Sequence, residues 1–173
     1  MPSSVHFRRS SWGDSPARVR SVEPGEPAES DGDLIYSTTL VGYPALLFYK
    51  FANDELCEGT YVIDNSDDAA DVDAYFKLQE MLTGKYGEPA NKEANWRDPY
   101  RAPDVKTYAQ AAKAVATGEL TLRSVWFTPD SRVLLVCAED RERYNAIVFL
   151  FYEDLRRLQA GTDVRHESDL DLL

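Results

Sequence analysis

The sequence predicts an α+β fold built from a duplicated unit, one helix followed by a three-strand antiparallel meander, with the helices packed on one face of the sheet. Two observations predict it. β-rich runs occur in two groups of three, separated by short turn-forming breaks. A helical stretch precedes each group, and Gly-Glu-Pro-Ala follows each of these stretches, at 25–28 and again at 87–90. Because self-similarity indicates internal repetition, we expect pseudo-repeats at about residues 14–64 and 67–153.

Length and composition predict a single globular domain over residues 1–160. The chain has 173 residues, of which 43% are hydrophobic, and a chain of this size buries roughly two-thirds of the surface exposed by its unfolded form. The 28% of charged and 12% of aromatic residues are typical of folded proteins. The polar residues 161–173 are expected to form a flexible tail.

The first repeat is expected to begin with a short helix. Trp12-Gly13-Asp14-Ser15-Pro16 is typical of a helix start, since Asp or Ser caps free amides and Pro fits the first turn. The helix should end near Glu23, because Pro24 and Gly25 follow. Strands are then predicted at 34–41, 45–52 and 56–63, and the short breaks between them indicate hairpins.

The second repeat is expected to begin with the main helix, over residues 67–86. Its apolar residues recur at helical spacing, and we expect Val72, Phe76, Met81 or Leu82 to pack against the sheet. Residues 90–103 are predicted to be an irregular insertion, followed by a helix at 104–117. Strands are predicted at 120–127, 132–138 and 144–152, with a final helical turn or two at 153–159.

The inserted loop is the best candidate for a binding site. It contains Trp96, Arg97, Tyr100 and Arg101, and Trp, Tyr and Arg dominate binding hot spots. In the alternative, Trp96 folds back over a sheet edge and Arg97 forms a surface pair with Asp98, worth about 0–1 kcal/mol. Since a sheet needs only one buried face, we expect the face without helices to be the binding surface, partly screened by this loop.

The net charge of the chain favours some classes of binding partner over others. Lys and Arg number 19 against 30 Asp and Glu, for a net charge of −11. The phosphate backbone of a nucleic acid would be repelled, so we expect no nucleic-acid binding. A basic protein surface would be attracted.

The sequence contains no recognisable catalytic pattern. The two histidines, His6 and His166, lie near opposite ends of the chain. A catalytic or metal site that depends on histidine is therefore not expected. There is no Gly-rich phosphate loop, and Cys57 and Cys137 are predicted to be buried free thiols because each lies in an apolar run. We therefore predict no cofactor and no enzymatic activity.

The acidic run at 64–73 is not predicted to bind a metal. It differs from a calcium loop, since Ala69 stands at the position that requires glycine and Tyr75 where a bidentate Glu is needed. Its acidic residues are instead expected to cap the main helix and to interact with the positive end of its dipole.

No window approaches the ~18 apolar residues of a membrane helix, so we expect no membrane span. The residues after Met1 lack the apolar core of a secretory signal. The expected location is the cytoplasm, or the envelope or exterior if a signal peptide has been removed. The oligomeric state stays open.

The order of helix, Gly-x-Pro and three antiparallel strands is similar to the small BamE-like and β-lactamase-inhibitor-like domains of bacteria. Trp12-Gly13-Asp14-Ser15 resembles the Gly-x-Ser helix start of those domains. The chain also resembles a bacterial family with Trp-Gly-x-Ser near its start and Lys-Tyr-Gly-Glu-Pro mid-chain, here residues 85–89. These resemblances imply a domain that binds another protein, and they carry no catalytic residues.

A non-enzymatic protein-interaction module is therefore the leading hypothesis. The first alternative is a small-ligand binding protein that uses a groove between the meanders and the inserted loop. The second is an enzyme that uses a pair of carboxylates drawn from Glu58, Asp64, Glu80 and Asp130, although their spacing selects no pair.

Overall fold

Eight antiparallel strands form one sheet in the computed structural model, which describes residues 5–98 and 106–160. The strand order is β1-β2-β3-β4-β8-β7-β6-β5. The strands are β1 (Ala28–Ser30), β2 (Asp33–Leu40), β3 (Tyr43–Ala52), β4 (Glu55–Ile63), β5 (Asn91–Trp96), β6 (Leu120–Phe127), β7 (Ser131–Asp140) and β8 (Asn145–Asp154). The helices in these ranges are α1 (Pro16–Val22), α2 (Asp68–Tyr86), α3 (Tyr108–Ala116) and α4 (Leu155–Gln159).

The predicted α+β class is wrong, because the fold is mainly β. Each set of consecutive strands has four members instead of the predicted three, since β1 and β5 were not predicted. All of β1 and most of β5 are exposed, and both are mostly polar, so neither has the alternation of apolar residues that predicts a strand. Both lie at the edges of the sheet, where natural sheets tend to carry short or polar strands.

The predicted unit of one helix and three strands is also wrong, since α1 precedes four consecutive strands and α2 precedes the other four. Only Asp31 and Gly32 connect β1 to β2, whereas the connection from β5 to β6 contains α3. Gly87 is the C-cap of α2, with a φ of 86° that favours glycine, but the C-cap of α1 is Glu23. The repeated Gly-Glu-Pro-Ala therefore follows two helix ends that are built differently.

One side of the sheet, which we call the covered face, carries the main hydrophobic core. Alternate strand residues, among them Leu47, Tyr49, Leu135 and Leu150, join a cluster that also contains apolar residues of α1, α2 and α3. Helices α2 and α3 both contact β6, β7 and β8. The covered face is therefore buried beneath the helices.

The main helix α2 begins one residue later than predicted and buries a different set of side chains. Val72 and Leu82 are buried as expected, but Phe76 is only half-buried and Met81 is 44% exposed. The buried aromatic residue is instead Tyr75, which lies one helical turn before Leu78 and Gln79 on the same side of the helix. Apolar spacing alone did not indicate which of two adjacent aromatic residues faces the sheet.

The opposite side of the sheet, which we call the open face, carries a second hydrophobic cluster. Its buried members are Val125, Leu134, Val136, Ala138 and Phe151, and Phe149 packs against them. All of these residues belong to strands, and no residue of the four described helices joins them.

The two cysteines are free and buried, as predicted. Burial raises the pKa of the Cys137 thiol far above its ordinary value, so this thiol stays protonated. No helix in residues 5–98 or 106–160 combines the length and apolarity needed to cross a membrane.

Candidate functional site

The predicted binding loop is only partly a loop. Residues 91–96 form edge strand β5 and pair with β6. Trp96 ends this strand opposite Leu120 and is half-buried against the main core. Arg97 follows with an exposed side chain, and its backbone N–H donates to the Glu119 carbonyl at 2.8 Å. Tyr100 and Arg101 lie outside the described residues.

Trp96 and Arg97 line a cavity of about 440 Å³ at one end of the open face, which we call the arginine cavity. Arg123 and Arg141 also line it, so that three arginines surround one space. Val136 and Ala138 contribute apolar surface from the second hydrophobic cluster. Sequence reasoning missed Arg123 and Arg141, which are distant in sequence from Arg97 and approach it only through the pairing of β5, β6 and β7.

Arg123 lies opposite Glu93 on the neighbouring edge strand. The carboxylate of Glu93 accepts hydrogen bonds from the amides of Asn91 (2.5 Å) and Asn95 (3.2 Å). These two bonds, with a smaller contribution from the charge of Arg123, lower the pKa of Glu93. The Nε atom of Arg123 is buried and has no hydrogen-bond partner in the described part of the chain.

Gly118 leaves room for two of the charged side chains that line the arginine cavity. A Cβ at this position would lie 2.9 Å from Nη2 of Arg97 and would overlap the carboxylate of Glu139. The backbone φ of 69° also favours glycine. The position of Arg97 therefore depends on a residue without a side chain.

The middle of the open face consists of two rows of mostly apolar side chains. The strand register aligns Phe48, Thr60, Phe151, Leu134 and Val125 in one row, and Leu46, Val62, Phe149, Val136 and Arg123 in the next. The rings of Phe149 and Phe151 stack with centroids 5.6 Å apart. Leu46 is 45% exposed, and Phe127, in the adjoining row, is 55% exposed. Large apolar side chains thus reach solvent on this face.

A third row on the open face is charged. Lys50 lies 3.3 Å from Glu58, and Arg132 binds both carboxylate oxygens of Glu153, at 2.6 and 3.0 Å. Glu58 and Glu153 are Cα partners on neighbouring strands and are 2% and 3% exposed. Thr60 also donates to Glu58, at 2.5 Å. Because each buried carboxylate is bound by a basic side chain, the row is interpreted as an array of structural ion pairs.

The carboxylates proposed from the sequence do not form a recognisable pair. Glu58 is adjacent to Glu153, which was not predicted, since only strand register brings the two together. Asp64 is bound by Arg143 and Asn145, Asp130 lies 3.5 Å from His6, and Glu80 is exposed on α2.

The acidic run before α2 has structural contacts. Asp67 caps the helix, with Oδ1 accepting from the N–H groups of Ala69 (3.1 Å) and Ala70 (3.3 Å), as predicted. Asp68 accepts from the Ala146 N–H of β8 at 2.8 Å. Asp71 lies in the first turn of α2, as predicted, but it is buried and accepts hydrogen bonds from Asn65, which precedes the helix. Over residues 5–98 and 106–160, no group of three or more His, Cys, Asp or Glu side chains converges on a metal site.

A second cavity on the open face, of about 430 Å³, has the opposite character. We call it the acidic cavity, since Asp64, Asp140 and Glu142 line it together with Arg143, beside Leu46 and Val62. The open face thus presents apolar rows between a cavity rich in arginine and one rich in carboxylates.

The chain matches no protein-family model, no curated protein and no solved structure.

Proposed function

We propose that this protein is a non-enzymatic interaction module that binds another protein through the open face of its sheet. The observation that carries the proposal is the exposure of Leu46 (45%) and Phe127 (55%) beside the second hydrophobic cluster, whose buried members are themselves 2–7% exposed. Exposed apolar side chains that are grouped on one surface are typical of protein-binding sites.

The composition of the face favours a protein partner over further packing within the domain. Leu46 and Phe127 are exposed at the two sides of the face, while Val62 and Phe149 are half-buried between them. The paired charges of Lys50, Glu58, Arg132 and Glu153 border the apolar rows. An apolar centre with a polar rim is the usual anatomy of an interface.

The partner we propose is a protein with an apolar patch surrounded by lysine and arginine residues. The ion pairs of the open face leave little net charge in its charged row, whereas the whole chain carries −11. That excess negative charge attracts a basic partner and speeds its association, an effect that weakens as salt is added.

The partner is sought by site-specific crosslinking in cells of the source organism. A photoreactive amino acid replaces Leu46 or Phe127 on the open face, or Met81 on α2 as a control of similar exposure. The proposal expects one protein to be captured from both open-face positions and not from Met81. Capture of no protein at the open face, or of the same proteins at all three positions, would contradict it.

The captured protein is then purified and its binding measured. Val62→Asp places an unpaired charge in the apolar rows and should weaken binding at least about tenfold, the scale of an interface hot spot. Met81→Asp is the matched control and should leave the affinity unchanged. Equal affinities for both variants would place the interface elsewhere.

A further inference from the structure

We propose that the arginine cavity is a binding site for a small anionic ligand that carries a carboxylate or phosphate group. This inference does not rest on the proposed function, since it concerns the end of the open face and a ligand of a different class.

The first argument is the incomplete bonding of Arg123. Its Nε is buried without a hydrogen-bond partner in residues 5–98 and 106–160. A buried donor that lacks a partner is destabilising, and native structures contain few of them. The guanidinium presents its Nε–H and an Nη–H side by side, which matches the two oxygens of a carboxylate or phosphate.

The second argument is that the carboxylate paired with Arg123 across the two strands is already bound by other groups. Glu93 faces Arg123 across the β5–β6 pair, but both of its oxygens accept from asparagine amides. The carboxylate of Glu139 lies over Gly118, where Nη2 of Arg97 also approaches. Neither acid provides the buried Nε of Arg123 with a partner.

The third argument is the concentration of positive charge. Arg97, Arg123 and Arg141 line one cavity of a protein whose net charge is −11, and Glu139 is the one acidic residue among the described side chains that line it. Guanidinium groups on three segments around a concave space attract an anion from several directions.

The size and lining of the cavity define the ligand further. A volume of about 440 Å³ lies within the range of small-molecule sites. Val136 and Ala138 are apolar, whereas Asn95 and Thr121 offer polar groups. The lining therefore suits a short carboxylic acid or phosphate ester with a small apolar portion.

The test is an NMR titration of the ¹⁵N-labelled protein with inorganic phosphate and, separately, with succinate, at low ionic strength. Choline chloride at matched ionic strength controls for screening of charge. We expect saturable shift changes at residues 95–97, 121–123 and 136–139, and the anion that binds more tightly identifies the preferred group.

Arg123→Gln should weaken binding of that anion at least about tenfold, because it removes a charge-assisted pair of hydrogen bonds. Arg143→Gln, in the acidic cavity of similar volume, should leave it unchanged. If Arg123→Gln does not fold, exposed Arg97→Gln tests the same cavity and should also weaken binding. Binding of neither anion, or equal binding by the Arg97 and Arg143 variants, would overturn the proposal without affecting the crosslinking experiment.

Discussion

Asp71 is a buried carboxylate that links the stability of the fold to pH. Asp71 is 0% exposed. Its Oδ1 accepts hydrogen bonds from the backbone N–H (3.1 Å) and the side-chain amide (2.7 Å) of Asn65. Its Oδ2 is buried without a partner among the described residues. Burial raises the pKa of Asp71 to about 6, against the opposing effect of the two bonds from Asn65.

We expect Asp71→Asn to make the protein more stable than the natural chain at pH 7 and above. Because the pKa is higher in the folded state, the folded state binds the proton more tightly, and the contribution of Asp71 to stability falls as pH rises from about 4 to about 6. The amide cannot ionise, and its oxygen can still accept from Asn65. The free-energy difference between the two proteins should grow by about 1–3 kcal/mol over this window, measured by urea unfolding at a series of pH values. A difference independent of pH would mean that Asp71 is ionised without penalty.

The segment before α1 is a structural element that was not predicted. Phe7 is buried beside Tyr49, Tyr61 and Tyr152, with ring centroids 5.2–5.6 Å apart. Its ring lies on the backbone of Gly59 in β4, where a Cβ would overlap it. The segment therefore covers the part of the covered face at which β4 has no side chain.

We expect Gly59→Ala to destabilise the fold by about 1–3 kcal/mol, because an added methyl group displaces a buried ring from a filled site. Gly84→Ala is the matched control. Gly84 is exposed in α2, and a Cβ there would meet no atom within 4 Å. Alanine is the better helix former, so this control should stabilise the protein by about 0.5–1 kcal/mol. Chemical unfolding of both variants tests the contact, and two changes of the same sign would show that Phe7 does not occupy this position.

At the scale of the whole molecule, acidic residues outnumber basic residues. The net charge of −11 produces self-repulsion in the folded state, where the charges are closest together. Exposed ion pairs such as Arg20–Glu29 oppose this effect, but an exposed pair contributes only about 0–1 kcal/mol.

We expect the melting temperature at pH 7 to rise by a few degrees when NaCl is increased from about 20 to about 300 mM, because salt screens repulsion over distances of about 10 Å and more. Near pH 4.6, the isoelectric point, the same increase should have little effect. Calorimetry at both pH values measures the difference. A melting temperature that falls with salt at pH 7 would mean that ion pairs outweigh the net repulsion.

Part of the candidate site could be predicted from local sequence. The residue types in the stretch around Trp96 and Arg97 directed attention to one end of the sheet, where the structure has the arginine cavity. Arg123 and Arg141 could not be assigned to it, since each lies in a β-rich stretch that reads as ordinary strand or turn. Their role depends on which strands pair, and pairing is a long-range property.

By itself, the sequence determined the six strands and the main helix in which apolar residues alternate or recur at helical spacing, because burial of one face imposes that pattern locally. It also determined the helix caps at Ser15 and Asp67, where a side-chain oxygen satisfies nearby amides. Only the tertiary structure decided that polar β1 and β5 extend the sheet to eight strands, since an edge strand is held by backbone hydrogen bonds and needs no apolar pattern. Tertiary structure alone also brought Glu58 beside Glu153 and placed Arg123 in the lining of the same cavity as Arg97, because strand register joins residues that the chain separates.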